Sequence, residues 1–239
     1  MIAMDRPVWD AKGEEKRVAV QGMFAEIAPT YDRINGIMSL SLHHRWRAYS
    51  VSLLKIKKGD RALDVCCGTG DFLLPLSRAV GSTGKVMGLD FCEPMLRIAS
   101  QKFAGWPLSL GDACRLPIQD RTFDAVSVGW GIRNVENIDE AHKELVRVLK
   151  PGGRFLSLDM AIPTNPVVRP VSKFVSQTLL PKLGAIFGKS QAYTYLPKST
   201  QVFLNREQLK ESMQRAGLVD VRFKNLFFGN ICIHWGVKP

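Results

Sequence analysis

A chain of 239 residues has room for one α/β domain with an excursion or a cap, and its 46% apolar composition supplies a core that excludes global disorder. Its formal net charge of +11 at pH 7 fits a solvated basic surface, an anionic substrate, an anionic membrane surface or nucleic acid. No apolar run is long enough to span a bilayer, the charged N-terminal stretch lacks the apolar core expected of a secretory signal, and the five cysteines show no metal-site spacing, which points to a reducing compartment.

Residues 1–13 are expected to be loose. From Glu14 a helical pattern carries Val18, Met23, Phe24 and Ile27, and it stops at Ala28-Pro29-Thr30 because the residue before a proline disfavours the helical region. The following stretch, through Tyr31-Asp32-Arg33-Ile34-Asn35 to Arg47, is dense in aromatic, polar and basic side chains. Residues 42–54 read as a helix with Trp46, Tyr49, Leu53 and Leu54 partly inward. Residues 1–60 together read as a helical cap folded over the open edge of the domain that follows. Tyr31, His43, Arg45 and Trp46 allow two readings: they seat the cap on the core, or some of them face a ligand, since phenol, imidazole and guanidinium groups orient an oxygen-rich ring. Trp46 and Tyr49 fit packing better than ligand contact.

Residues 61–239 read as the main domain. Arg61–Val65 is the first predicted strand, and it runs into Cys66-Cys67-Gly68-Thr69-Gly70-Asp71. An apolar run that ends at an acidic residue and a glycine-rich turn, with a helix next, suits a nucleotide-like cofactor across the carboxyl ends of a parallel sheet. Asp64, Gly68, Thr69 and Gly70 are therefore cofactor-binding candidates, although the spacing lacks the third glycine of a dinucleotide fingerprint. A helix beginning at Asp71 would be bent or delayed by Pro75. The second strand, 86–90, closes at Asp90, whose carboxylate can accept both hydrogen bonds of a ribose diol or simply cap the next helix. The third, Leu108–Leu110, leads to Asp112, which can receive an adenine amino group or hold a turn. After the fourth, 123–128, Gly129 and Gly131 permit close approach of backbone to a ligand. Arg133 and Asn134 then fall at the strand's carboxyl end, where they organise a substrate or make local hydrogen bonds. Asn137 with Glu140 reads as a capping box, Lys150-Pro151-Gly152-Gly153 as a terminating turn, and 154–159 as the fifth strand. This alternation predicts a parallel sheet covered on both faces.

The alternation breaks at Ala161. Residues 161–204 read as a lid or a substrate-channel wall, in which Val171, Phe174, Val175, Leu179, Leu180, Leu183, Ile186 and Phe187 alternate with Arg169, Lys173, Lys182 and Lys189 and no acidic residue intervenes between 167 and 190. Such a segment approaches anionic lipid or packs as an ordinary helix with a solvated basic face. Asn205 and Gln208 form a second capping box, Gly217 stops that helix, and 219–228 and 231–237 read as two final strands.

Taken in order, Tyr31-Asp32-x-x-Asn35, the Ser39 to Trp46 segment, Leu63 to Asp71, Gly111-Asp112, Gly131-Ile132-Arg133-Asn134-Val135 and Arg147-Val148-Leu149-Lys150-Pro151-Gly152-Gly153 resemble the S-adenosylmethionine-dependent methyltransferases of menaquinone and ubiquinone biosynthesis. The resemblance implies a class I methyltransferase fold, α/β and Rossmann-like, with a seven-stranded sheet ending in an antiparallel hairpin. It implies S-adenosylmethionine as cofactor and C-methylation of a prenylated hydroquinone, foremost demethylmenaquinol to menaquinol. Gly68 and Gly70 would shape the backbone around the cofactor's amino-acid portion, Asp90 would hold ribose, and Asp112 and Ala113 would border adenine. Arg133, Asn134 and the Tyr31 region would approach the substrate ring, with Arg133 stabilising phenolate charge, Asn134 orienting a ring oxygen, and Tyr31 and His43 as proton-handling candidates. No metal is needed. Ser41, His44 and Asp159 stand where the family commonly has glycine, arginine and glutamate. A benzoquinol, another small aromatic molecule or RNA as acceptor, and a non-catalytic cofactor-binding regulator, are the alternatives, with nucleic acid disfavoured by the lack of a recognised RNA-binding module. A cytoplasmic protein in peripheral contact with the inner face of an anionic membrane is expected, and a homo-oligomer is left open.

Overall fold

The computed structural model of the chain describes residues 8–179, 181–182 and 190–239. Leu180, Leu183, Ile186, Phe187 and Lys189, named above in the insertion, lie outside the described residues, as do residues 1–7.

Seven strands form one sheet in the order β3-β2-β1-β4-β5-β7-β6. Strands β1 (Arg61–Val65), β2 (Lys85–Asp90), β3 (Leu108–Leu110), β4 (Phe123–Gly129) and β5 (Leu149–Met160) are parallel. The last strand, β7 (Ile231–Val237), enters antiparallel between β5 and β6 (Val219–Leu226). The predicted seven-stranded sheet with an antiparallel tail is thus the observed one. Because the chain crosses the sheet with alternating side chains, both faces of the central strands are apolar. Leu63, Val65, Val126, Val128 and Phe155 point to one face, under α6 (Ile138–Val148) and α9 (Arg206–Arg215). Ala62, Ala125, Leu156 and Leu158 point to the other, under α3 (Leu42–Leu53) and α4 (Leu73–Val80).

A third cluster joins the cap to the domain. Val20, Met23 and Ile27 of α1 (Gly13–Ile27) and Ile34 of α2 (Tyr31–Met38) meet Met95 of α5 (Glu93–Lys102) and Tyr195 of α8 (Ser190–Val202). Val8 and Ala11 are buried as well, and Val8 joins this cluster, so residues 8–13 are seated rather than loose: their apolar side chains find a partner surface that the local sequence does not display. The N-terminal helices bring Tyr31 to the cleft at the carboxyl ends of the strands.

Local expectations resolve individually. Helix α4 starts at Leu73, not Asp71. Pro75 then falls in the first turn, where its missing N–H removes no intrahelical bond. Asn137 Oδ1 accepts from the Glu140 N–H at 3.2 Å, and the Asn205–Gln208 box is complete. Residues 150–153 do not end in a free turn. Strand β5 begins at Leu149, which pairs with Phe123, and an irregularity in register brings Arg154 opposite Ala125. The insertion contains α7 (Val168–Phe174), a widened π-helical turn at Val175–Leu179, and α8. The final hairpin turns through Phe227 and Phe228, both at positive φ (45° and 55°), so β6 stops at Leu226.

Candidate active site

At the carboxyl ends of β1, β2 and β4 lies a cleft lined by Gly68, Asp90, Asp112, Ala113, the Gly129–Trp130–Gly131 wall, Asn134 and Tyr31. Gly68 sits at φ +55°, and a Cβ there would have nothing within 4 Å, so the loop leaves open space above its backbone. Asp90 is 5% exposed and is held by two backbone donors: the Gly68 N–H on Oδ2 at 2.7 Å and the Cys92 N–H on Oδ1 at 2.8 Å. Burial outweighs these donors and lifts its carboxyl to about 6. Asp112 Oδ1 accepts from the Cys114 N–H at 2.8 Å. The opposite wall can only be glycine: a Cβ on Gly131 would stand 2.3 Å from that of Cys66, and one on Gly129 2.3 Å from the Phe72 ring. Open space over Gly68, an acidic residue at the end of β2 and another after β3 fit a nucleoside cofactor with a ribose diol and an amino-bearing base.

Asp64, Thr69 and Gly70 do not line this cleft. Asp64 is 1% exposed under the loop; it accepts from Ser127 Oγ at 2.7 Å, and burial pushes its carboxyl to about 7. Thr69 Oγ1 donates to Asp32 Oδ1 at 2.5 Å, and Gly70, at φ +89°, lies against Phe103 and Leu73. These three shape and anchor the loop from behind.

The anchoring continues into the cap. Lys102 Nζ bridges Asp32 (2.9 Å) and Asp71 (3.0 Å), and Arg47 pairs with Asp71 at 3.3 Å. The Arg47 guanidinium is buried, 4.6 Å from the centroid of the Trp130 ring, and hydrogen-bonds His43 Nδ1. Burial first, then Arg47, push the His43 imidazole down to about 4, so it is neutral at pH 7. With Nδ1 accepting from Arg47, the ring proton resides on Nε2, which has no partner among the described residues. His43 is thereby a donor, not a ready base. Tyr31 is likewise a donor, because burial raises its phenol above the ordinary value. His44, His43 and Asp71 offer ligand atoms within 4.8 Å of one another, but Arg47 engages both His43 and Asp71. A metal there would face a fixed cation.

A second cavity, of about 590 Å³ and open at its mouth, shares Phe24, Tyr31 and Trp130 with the first. Met23, Met38, Val171 and Phe227 give it an apolar lining, while His43 and Arg133 supply polar groups. Trp46 also lines it, 5.4 Å from Phe227 by ring centroids, while packing against the core as expected. Tyr49 faces outward, with Lys224 Nζ 2.7 Å from its hydroxyl. Arg133 Nη1 donates to the Trp130 carbonyl at 2.9 Å and to Asp159 Oδ1; both side chains are nearly inaccessible. Burial raises the Asp159 carboxyl, and Arg133 opposes that shift. Arg133 lines the apolar cavity, whereas Asn134 lines the first cleft, so the two neighbours serve different sides of the wall.

Sequence reasoning missed Arg47, Lys16, Trp130 and Tyr195. Lys16 Nζ donates to the carbonyls of Arg133 (3.1 Å) and Val135 (2.7 Å), and the Tyr195 hydroxyl donates to Asn134 Oδ1 at 2.9 Å. Only Arg47 had a local signal, its spacing of one helical turn from His43.

The strand order, the glycine loop over β1 and the acidic residue closing β2 are those of the S-adenosylmethionine-dependent methyltransferase fold. Solved structures share this fold: a possible histamine N-methyltransferase of Thermotoga maritima at 20% identity and TM-score 0.66, covering 92% of this chain and 100% of that one, and the [4+2]-cyclase SpnF at 19% identity and TM-score 0.61, covering 82% and 80%. A cyclase on the same frame means that the fold leaves the reaction open. The chain itself belongs to the ubiE/COQ5 methyltransferase family, whose model matches residues 10–238. The demethylmenaquinone methyltransferase of Lactiplantibacillus plantarum is 39% identical, covering 92% of this chain and 95% of that protein. The enzyme of the same name from Desulfitobacterium hafniense is 40% identical, covering 96% and 94%.

Proposed function

We propose that this chain transfers a methyl group from S-adenosylmethionine to a ring carbon of a prenylated hydroquinone, converting demethylmenaquinol to menaquinol. The observation that carries this reading is the meeting of a cleft edged by Asp90 and Asp112 and a large apolar cavity at one wall, Phe24–Tyr31–Trp130. The relatives named demethylmenaquinone methyltransferase support the choice of acceptor. Gly68, Asp90, Asp112 and Ala113 would hold the cofactor, which supplies an electrophilic methyl on its sulfonium. The apolar cavity takes the prenyl-bearing ring and excludes water. The Tyr31 hydroxyl and the His43 Nε2–H are the donors positioned for ring oxygens. Arg133, whose Nε has no partner among the described residues, brings positive charge to the oxygen on which phenolate charge develops. The residues thus supply alignment and electrostatic stabilisation, which is what attack by an electron-rich ring carbon needs.

The test is incubation with methyl-labelled S-adenosylmethionine and demethylmenaquinol. Label in the ring methyl of the product is expected. Transfer to RNA alone, or cofactor binding without transfer to any acceptor, would overturn the reading.

The cap and the insertion are walls of the acceptor cavity in this proposal, and the mouth between them meets an anionic membrane. Val167, Val171, Phe227 and Phe228 line the cavity and are also exposed, Phe228 by 76%. Positive φ at two successive phenylalanines costs backbone energy, and here it coincides with rings placed at the mouth. Arg169, Lys173 and Lys182 are exposed nearby, with no acidic residue from 167 to 182. Each basic residue near such a surface contributes about 1 kcal/mol, so the Arg169→Gln/Lys173→Gln variant should bind anionic vesicles about thirtyfold more weakly. Co-sedimentation with neutral and anionic vesicles across salt measures this. Binding indifferent to lipid charge would remove the membrane from the proposal.

A further inference from the structure

Tyr195 lies on the insertion helix α8, 61 residues from its partner on the site loop, and is 2% exposed. Its ring packs among Val20, Met23 and Ile34 of the cap. Its hydroxyl donates to Asn134 Oδ1 at 2.9 Å, and Asn134 Nδ2 donates to the Trp130 carbonyl at 3.1 Å. Turning the amide over would set Oδ1 against the Trp130 carbonyl, acceptor to acceptor, so its orientation is fixed. Tyr195 lines the apolar cavity, Asn134 lines the cofactor-side cleft, and Trp130 lines both. Other anchors of the loop act on other atoms: Lys16 on the carbonyls of Arg133 and Val135, Asp159 on the Arg133 guanidinium, and the Leu158 carbonyl on the Trp130 N–H, while Arg133 Nη1 shares the Trp130 carbonyl with Asn134. Tyr195 is the side chain that engages the Asn134 amide oxygen.

We infer that Tyr195 is a positioning residue for methyl transfer: its hydroxyl ties the seating of the insertion helix to the Asn134–Trp130 wall between cofactor and acceptor. The kinetic consequence rests on the methyl-transfer reading above; the structural consequence does not. An insertion helix lifted from the cap breaks the contact to Asn134 and loosens the wall against which the two reactants must be aligned. One hydrogen bond thereby links a filled acceptor cavity to a closed cofactor cleft.

Tyr195→Phe keeps the ring and its packing and removes the hydroxyl alone. Turnover of quinol should fall about tenfold, while the KM for quinol and the affinity for S-adenosylhomocysteine stay within about twofold. Tyr195→Phe in an Asn134→Ala background should then have no further effect on kcat, because the hydroxyl acts through that amide. Unchanged kcat in the single variant, or additive losses in the double variant, would overturn the inference. A second readout needs no acceptor. Asn134 N–H bonds to the Gly131 carbonyl at 2.9 Å, and its hydrogen exchange in the protein loaded with S-adenosylhomocysteine should quicken in Tyr195→Phe. Unchanged exchange overturns the positioning role. Quickened exchange in a protein that methylates no quinol upholds it and overturns the acceptor assignment instead.

Discussion

Asp90→Asn is expected to weaken S-adenosylmethionine binding about a hundredfold, roughly 3 kcal/mol, with little change in fold. The wild-type carboxylate serves two sets of donors. The N–H groups of Gly68 and Cys92 fix its two oxygens from inside the loop, and the same group lines the cofactor cleft. An asparagine has the same shape but turns one oxygen into an NH₂, which in either orientation meets a loop N–H, donor against donor, and removes both the charge and one acceptor from the side that faces the ribose diol. Asp90→Ala would also leave both buried N–H groups without an acceptor and confuse binding with loop collapse, so the asparagine variant is the cleaner probe.

The same residue predicts a pH dependence. Burial lifts the Asp90 carboxyl to about 6, so it takes up a proton as pH falls through that value. The protonated acid loses acceptor capacity towards the diol, and cofactor affinity should decline below about pH 6 in the wild type and stay flat in Asp90→Asn. For stability the sign is opposite. The folded value lies above the ordinary carboxylate value of 3.8, so between 3.8 and about 6 the folded state binds more protons than the unfolded state. This group's contribution therefore falls as pH rises through that window. Calorimetric titration with S-adenosylhomocysteine on both sides of pH 6, beside thermal melts, checks both signs. An affinity that ignores both the substitution and pH would remove Asp90 from the cofactor site.

What the sequence made legible follows the range of the interactions involved. Strand and helix alternation is written in local periodicity, and Gly68, Asp90 and Asp112 fall at strand ends, so the sheet and the cofactor cleft could be read residue by residue. Asp64 and Thr69 belong to the same motif but face inward. A motif marks a loop, not the direction of each side chain, and only the partners Ser127 and Asp32 reveal that these two are anchors. Arg47 stands among other basic residues of α3, and its one-turn spacing from His43 gives no sign of burial. Its burial is tolerable because Asp71 pairs with it and Trp130 covers it, and neither lies in that helix. Lys16 and Tyr195 reach the site loop across 117 and 61 residues, where no spacing rule applies. Trp46 packs against the core as its helical spacing suggests, and it also borders the cavity, a position that no local pattern displays.

The second large effect concerns Arg133. Arg133→Met should reduce turnover at least a hundredfold and destabilise the protein by about 3–5 kcal/mol, because it leaves Asp159 as a buried charge without its cation. Asp159 Oδ2 is a buried oxygen without a hydrogen-bond partner among the described residues, and the carboxylate would keep only backbone donors, the Met160 N–H on Oδ1 among them. Arg133→Lys keeps the charge but not the guanidinium, which spans the Trp130 carbonyl and Asp159 while its Nε is left over. A single ammonium cannot reproduce that set of directions, so the lysine variant should lose less stability, about 1 kcal/mol, yet still lose most of its turnover. The pairing itself raises the objection that Arg133 is only structural, its charge being spent on Asp159. Arg133→Met combined with Asp159→Leu separates the two roles. Replacing a buried ion pair by apolar side chains of similar volume is often neutral or stabilising, so the double variant should regain most of the melting temperature. It should not regain turnover, because the guanidinium that meets phenolate charge is gone and Arg47, the other arginine lining the cavity, is engaged by Asp71. Thermal melts and single-turnover methyl transfer on the three variants decide the matter. A double variant that recovers both stability and turnover would make Arg133 a structural residue, and the charge stabilising the ring oxygen would then have to come from elsewhere in the cavity, with Arg47 the nearest candidate.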